Sequence, residues 1–302
     1  MGNTPLVRLN KLTAGLHRNV YVKLEGLNPG GSTKTRAALC MIRDAERRGA
    51  LKPGATIVEY TSGNQGIGLA LVSAVLGYRC IIVMPACMSE ERKRIVRAYG
   101  AQIITTEAEG DNIFAFFERA RLKAEELVAE NENYFLAGQF ENKANWEAHY
   151  NGTAEEIIAQ MGELPLHGFI AAVGTGGTIT GCARRLRQAY PNAVMVAVEP
   201  TTAAILSGGV IGSHSQQGIG DGFVPAILDT DCYSRIVRVS DERAFDTAKR
   251  LATEEGIFCG ISSGTNVWAA MEFAKTLPEG SNIVTVCVDL GDRYLSVESF
   301  IG

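Results

Sequence analysis

The stretch "NPGGSTKTR" (28–36) puts Lys34 inside a turn of glycine, serine and threonine, just ahead of a helix-like run from Ala37 to Ile42. Its amine has three readings: a phosphate-loop lysine, a catalytic nucleophile or a surface charge. The phosphate-loop pattern GxxxxGK[ST] is absent, because Lys34 follows Thr33 rather than a glycine. A lysine taken out of water loses part of its preference for the ammonium form, so its free amine can attack an aldehyde.

Four glycine-rich turns offer the rest of a site. In "GTGGTITG" (174–181), Gly174, Gly176 and Gly177 allow backbone to approach an anion, and Thr175 and Thr178 add hydroxyls. The helix that follows would aim its first N–H groups at a phosphate. A dinucleotide fingerprint would need glycine where Ile179 stands. The competing reading is a tight turn that binds nothing. "TSGNQG" (61–66) gathers Thr61, Ser62, Asn64 and Gln65, a receptor for a carboxylate or simply a capped helix. "GISSG" (260–264) sets Ser262 where a hydroxyl could meet a ring nitrogen, and "GIGDGF" (218–223) embeds Asp221 after Gly220. Taken alone, each of these two is a loop. Together, an amine, a phosphate cradle, a carboxylate receptor and a ring-nitrogen partner match one cofactor, pyridoxal 5′-phosphate.

The elements that position these turns alternate. Strand-like runs at 56–60, 80–85 and 101–106 enclose helix-like runs at 63–78 and 89–100, with Ser89 expected as an N-cap and Gly100 as a stop. A second series has strands at 168–174, 193–200 and 282–289 and helices at 180–190, 240–256 and 265–277. Such βαβ order predicts an α/β fold with parallel sheets flanked by helices. Segments 107–112 and 201–222 read as loops.

Composition narrows the function classes. The 302 residues are 46% apolar and 21% charged, with net charge −4. No basic stripe points to nucleic acid, and no run of 18 apolar residues points to a membrane span. The N-terminal "MGNTPLVRLNKL" has no apolar core of a secretory signal. Seven cysteines without a CxxC pair read as small buried hydrophobes in a reducing cytoplasm, and four scattered histidines suggest no metal site.

Eight ordered motifs carry a resemblance over nearly the whole chain: "GNTPLVRL" (2–9), "NPGGSTKTR", "TSGNQGIGLA", "GQFENKANWEAHY" (138–150), "GTGGTITG", "GIGDGFVP" (218–225), "GISSG" and "GDRYLS" (291–296). The chain resembles the cysteine synthase and cystathionine β-synthase group of fold-type II pyridoxal-phosphate enzymes. The resemblance implies two domains, each with a twisted, mostly parallel sheet. The smaller would span 35–145, and the larger 1–34 plus 146–302. It implies Lys34 as the Schiff-base lysine, Asn64 as partner of the cofactor's phenolic oxygen and 174–178 as the phosphate cradle. It implies Ser262 at the pyridine nitrogen, and Thr61, Ser62, Gln65 and Gln139 at the substrate carboxylate, with Gly220 near the substrate. It also implies a cytoplasmic homodimer and, as a possible partner, the C-terminal tail of serine acetyltransferase.

A serine at the ring nitrogen does not enforce a pyridinium as an aspartate would, so loss of the Cα proton with a Cβ leaving group is favoured over transamination. The implied chemistry is β-elimination through an α-aminoacrylate followed by β-replacement on serine or cysteine derivatives. Cysteine formation from O-acetyl-L-serine and sulfide ranks first. Four departures stand out: Thr35 for the usual aspartate, Gln65 for a threonine, Leu290 where the family usually carries a serine, and Asp221 where a small residue is usual. Asp221 could act as a base on water, so that L-cysteine releases sulfide and leaves L-serine; the plain alternative is a loop-capping aspartate. A different class, a non-catalytic binder that keeps the fold, would be marked by absence of the cofactor's visible absorbance.

Overall fold

The structure, a computed structural model, describes residues 1–107, 113–209, 211–297 and 300. The chain divides into two compact units, one formed by Met1–Thr33 with Trp146–Gly302 and the other by Lys34–Asn145.

The first unit is built on a six-stranded sheet. Its strands are β1 (Leu6–Arg8), β2 (Asn19–Leu24), β7 (Gly168–Ala172), β8 (Val194–Pro200), β9 (Arg235–Val239) and β10 (Asn282–Cys287). They lie in the order β1-β2-β10-β7-β8-β9, and only β1 runs antiparallel. Both faces are covered, which explains why its strands read as near-continuous apolar runs. Met195 and Ala197 point into one core with Phe169, Val284 and Val286. Val196 and Val198 point into the other with Val20, Val22 and Ile170. Helices α7 (Gly177–Ala189), α8 (Asp241–Glu255) and α9 (Ile261–Ala274) supply much of the cover.

The second unit carries a four-stranded, wholly parallel sheet in the order β5-β4-β3-β6. Its strands are β3 (Thr56–Tyr60), β4 (Arg79–Pro85), β5 (Gln102–Thr106) and β6 (Tyr134–Leu136). Helices α1 (Lys34–Arg47), α2 (Asn64–Leu76), α3 (Glu90–Ala98) and α4 (Ile113–Ala129) belong to this unit. Helices α5 (Ala144–Ala148) and α6 (Ala154–Met161) complete the set.

The predicted strands of both series are present, with ends shifted by one or two residues. Two helices start earlier than their apolar periodicity suggests: α7 at Gly177 rather than 180, and α9 at Ile261 rather than 265. Glycine and serine are weak helix formers, but here packing recruits them, and Ser262 therefore lies in a helix's first turn. Ser240 caps α8 by accepting from the Arg243 N–H at 3.4 Å. Ser89 occupies the corresponding position before α3, but its hydroxyl makes no capping bond and is buried without a partner. Among the described residues of 201–222, all is irregular except for a short 3₁₀ turn at Thr201–Ala203. Beyond Glu107, the loop expected at 107–112 lies outside the described residues.

Candidate active site

In the first unit the glycine turns gather where β7 ends. The turn 174–176 leaves β7 and enters α7, with Gly176 left-handed (φ +80°) at the N-cap. No acid stands in the first turn of α7, so the helix itself supplies no carboxylate to its positive end. The N–H groups of Thr178 and Ile179 precede the first helical acceptor. The Gly177 N–H leans on Thr175 Oγ1 at a long 3.4 Å. Thr175 is buried and Thr178 half-buried.

The Asp221 turn packs directly on this cradle. The Gly220 N–H donates to the Val173 carbonyl at 3.0 Å. A Cβ on Gly174 would run into the Gly218 carbonyl oxygen, so only glycine allows the two turns to touch. Asp221 itself is half-buried. The preceding segment is clamped by Gln216, fully buried. Its amide donates to the Val239 carbonyl and to Asp241 Oδ1, both at 2.9 Å, and accepts from Thr265 Oγ1 at 2.8 Å. Thr265 sits one turn along α9 from Ser262, so the segment leading to Asp221 and the Ser262 helix share this anchor.

The lysine turn is attached to the same sheet edge. Ser32 bridges to Asp289, and the Thr33 N–H donates to the Val288 carbonyl at 2.9 Å, just past the end of β10. Arg293, buried, donates to the Gly30 carbonyl. Lys34 follows Thr33 directly and opens α1, where the second unit begins. Ser32 Oγ and Thr33 Oγ1 are buried without a partner, the kind of orphan that marks a place for a bound group.

In the second unit the expected carboxylate receptor assembles at the end of β3. Thr61 Oγ1 accepts from the Gly63 N–H at 3.2 Å, and Asn64 and Gln65 open α2. Gln139, 78 residues beyond Thr61, is brought beside them, its Nε2 donating to the Tyr60 carbonyl at 3.4 Å. Gln65 is turned inward: Nε2 donates to Met41 Sδ at 3.5 Å, and Oε1 is buried without a partner. Turning that amide over would place its N–H2 at the orphan position.

One residue of this group was not singled out in the sequence. Glu59, buried in β3, accepts the Tyr60 N–H and the Gln139 N–H, each at 3.1 Å. It staples the Gln139 turn to the strand that leads into 61–65. Burial pushes its carboxyl up to about 8, against the backbone donors of Gln139, Tyr60 and Gly138, which favour the ionised form. A lone acid inside the strand-like "TIVEY" is the available signal. His149 and Gln216 likewise left no pattern.

These residues fit pyridoxal 5′-phosphate. The acid-free α7 terminus with its paired threonines suits a phosphate, and Ser262, 3% exposed, lies in an acid-free first turn of α9, where it suits an unprotonated ring nitrogen. The comparisons agree. Residues 1–289 match the model of the pyridoxal-phosphate dependent enzyme family, and the chain belongs to that family. It is 46% identical to a cysteine synthase of Staphylococcus aureus over 98% of this chain and 94% of that protein. The structure of O-ureido-L-serine synthase superposes with a TM-score of 0.93 at 44% identity, covering 100% and 93% of the two chains. A hydrogen sulfide-producing enzyme of Fusobacterium nucleatum gives 0.91 at 41% identity, covering 97% of each. No helix among the described residues is long and apolar enough to cross a membrane.

Proposed function

We propose that this protein is a cysteine synthase, replacing the Cβ substituent of O-acetyl-L-serine with sulfide. The observation that carries the reading is the acid-free α7 terminus at 174–178 with the 218–221 turn packed against it. When bound, pyridoxal 5′-phosphate supplies the electron withdrawal that weakens the substrate's Cα–H bond. Lys34 holds the cofactor, takes the Cα proton and returns it. Gly174, Thr175, Gly176, Gly177 and Thr178 hold the phosphate, Ser262 the ring nitrogen and Asn64 the phenolic oxygen. Thr61, Ser62, Gln65 and Gln139 bind and orient the substrate carboxylate, and Gly220 borders the reacting carbon.

The position of Asp221 favours a second reading. A carboxylate on the turn that touches the phosphate cradle can take a proton from water. On L-cysteine the same machinery would then release sulfide and form L-serine. We further propose that the units correspond to the two domains of the family fold, the smaller spanning roughly 35–145. The protein would act in the cytoplasm as a homodimer, with the serine acetyltransferase tail as a candidate partner.

A paired assay on cofactor-loaded protein tests both readings. One tube holds O-acetyl-L-serine with sulfide, read for cysteine; the other holds L-cysteine alone, read for sulfide and serine. Fast cysteine formation supports the first reading. Fast sulfide release that collapses in Asp221→Ala, with the cofactor retained, supports the second. Release unchanged in that variant removes Asp221 from the chemistry.

A further inference from the structure

Next to the phosphate cradle lies a rare element. Residues His149–Thr153 form a π-helical turn, closed by the Ala154 N–H donating to the His149 carbonyl. Such turns are uncommon and concentrate at functional sites. His149 is 1% exposed. Its Nδ1 lies 3.0 Å from Thr153 Oγ1, and its Nε2 lies 3.4 Å from Thr178 Oγ1. Helix α7 presses against this turn, since a Cβ on Gly181 would run into the Trp146 carbonyl and crowd His149 Cβ. The imidazole is therefore fixed in place between two hydroxyls, one of them in the cradle.

We propose that His149 is a positioning residue for the cofactor phosphate, acting through Thr178 in one fixed tautomer. This rests on the assignment of 174–178 as the phosphate cradle. A phosphate dianion only accepts hydrogen bonds, so the Thr178 hydroxyl must donate to it. The Thr178 oxygen is then free to accept, and the donor facing it is His149 Nε2–H. The neutral ring then leaves Nδ1 as an acceptor, which the Thr153 hydroxyl satisfies. The order Thr153 O–H to Nδ1, Nε2–H to Thr178, and Thr178 O–H to phosphate aligns three donors in one direction, and each bond polarises the next.

The test uses amide side chains as partial imidazoles. Glutamine places an N–H near the Nε2 position; asparagine places one near Nδ1. The full-length protein is dialysed free of cofactor and titrated with pyridoxal 5′-phosphate, and in parallel with pyridoxal, which lacks the phosphate. His149→Asn should weaken pyridoxal 5′-phosphate about 5- to 10-fold, the worth of one hydrogen bond, and leave pyridoxal unchanged. His149→Gln should stay within about 3-fold of wild type on the same scale. Thr153→Val, nearly isosteric and remote from the phosphate, should weaken binding in the same selective way, and Thr153→Ser should restore it. Thermal melts identify any variant that fails to fold, and the Thr153 pair then carries the decision. Equal affinities for the Asn and Gln variants, or equal losses for both ligands, would overturn the proposal while leaving the cradle intact. A wild-type protein that prefers pyridoxal 5′-phosphate no more than pyridoxal would overturn the cradle assignment itself.

Discussion

Glu59→Gln should alter how stability depends on pH more than it alters stability at any one pH. Glu59 is fully buried, and burial raises its carboxyl from an ordinary 4.5 to about 8. Below pH 4.5 both folded and unfolded chains carry the proton. Between 4.5 and 8 the folded chain keeps a proton that the unfolded chain has lost. Stability from this group is therefore fully present in acid and falls as pH rises, levelling off above 8. At about 1.36 kcal/mol per pH unit, the whole fall approaches about 5 kcal/mol, a large share of the roughly 5–15 kcal/mol typical of a domain. Glutamine keeps the volume but does not titrate. Its amide N–H2 must confront one of the backbone N–H donors that Glu59 accepts, at a cost of about 1–3 kcal/mol. The variant should thus be the less stable protein at pH 5 and the more stable one at pH 8.5. Urea unfolding of cofactor-free protein at the two pH values, followed by circular dichroism, measures this directly. Nearby Glu141, also raised by burial, is common to both proteins, and its repulsion of an ionised Glu59 adds to the upward shift being measured. A variant-minus-wild-type difference that is the same at both pH values would refute the reasoning, because it would mean that Glu59 is already ionised in the folded chain.

Three further substitutions probe the turns. Gly174→Ala drives a methyl into the Gly218 carbonyl; it should cost about 1–3 kcal/mol in urea unfolding and weaken cofactor binding, whereas Gly49→Ala, with open space around it but φ +68°, should cost stability without touching the cofactor. Gln216→Leu removes three hydrogen bonds, two of them to buried partners, Val239 and Thr265; it should cost about 2–4 kcal/mol and lower kcat for sulfide release more than it lowers cofactor occupancy, as read by visible absorbance.

What was legible follows from where the information lies. The series from β3 to β5 was readable because each strand is a short apolar run and each helix begins or ends on glycine, serine or acids. The candidate clusters at 28–36 and 174–178 stand out because glycines and hydroxyls lie within a few residues of chain. Strand β2, "NVYVKL", is hard to read because its penultimate residue, Lys23, is a charge that the fold buries completely, pairing it with Glu156 at 2.7 Å. Helix α4 follows the loop expected at 107–112 and has no glycine stop in the sequence to mark its end. Glu59, His149 and Gln216 escaped for a shared reason. Each is a single polar residue whose partner comes from afar: Gln139 lies 80 residues from Glu59, Thr178 29 from His149 and Thr265 49 from Gln216. Spacing along the chain carries no trace of such pairs; only the fold creates them.

This chain is a pyridoxal-phosphate dependent enzyme, and the working amine proposed for it is Lys34. Borohydride reduction of the cofactor-loaded protein, followed by peptide mapping, tests that assignment. A phosphopyridoxyl group on Lys34, and loss of catalysis in step with its formation, is the predicted result. A group on another lysine, or full activity after Lys34→Ala, would contradict the account.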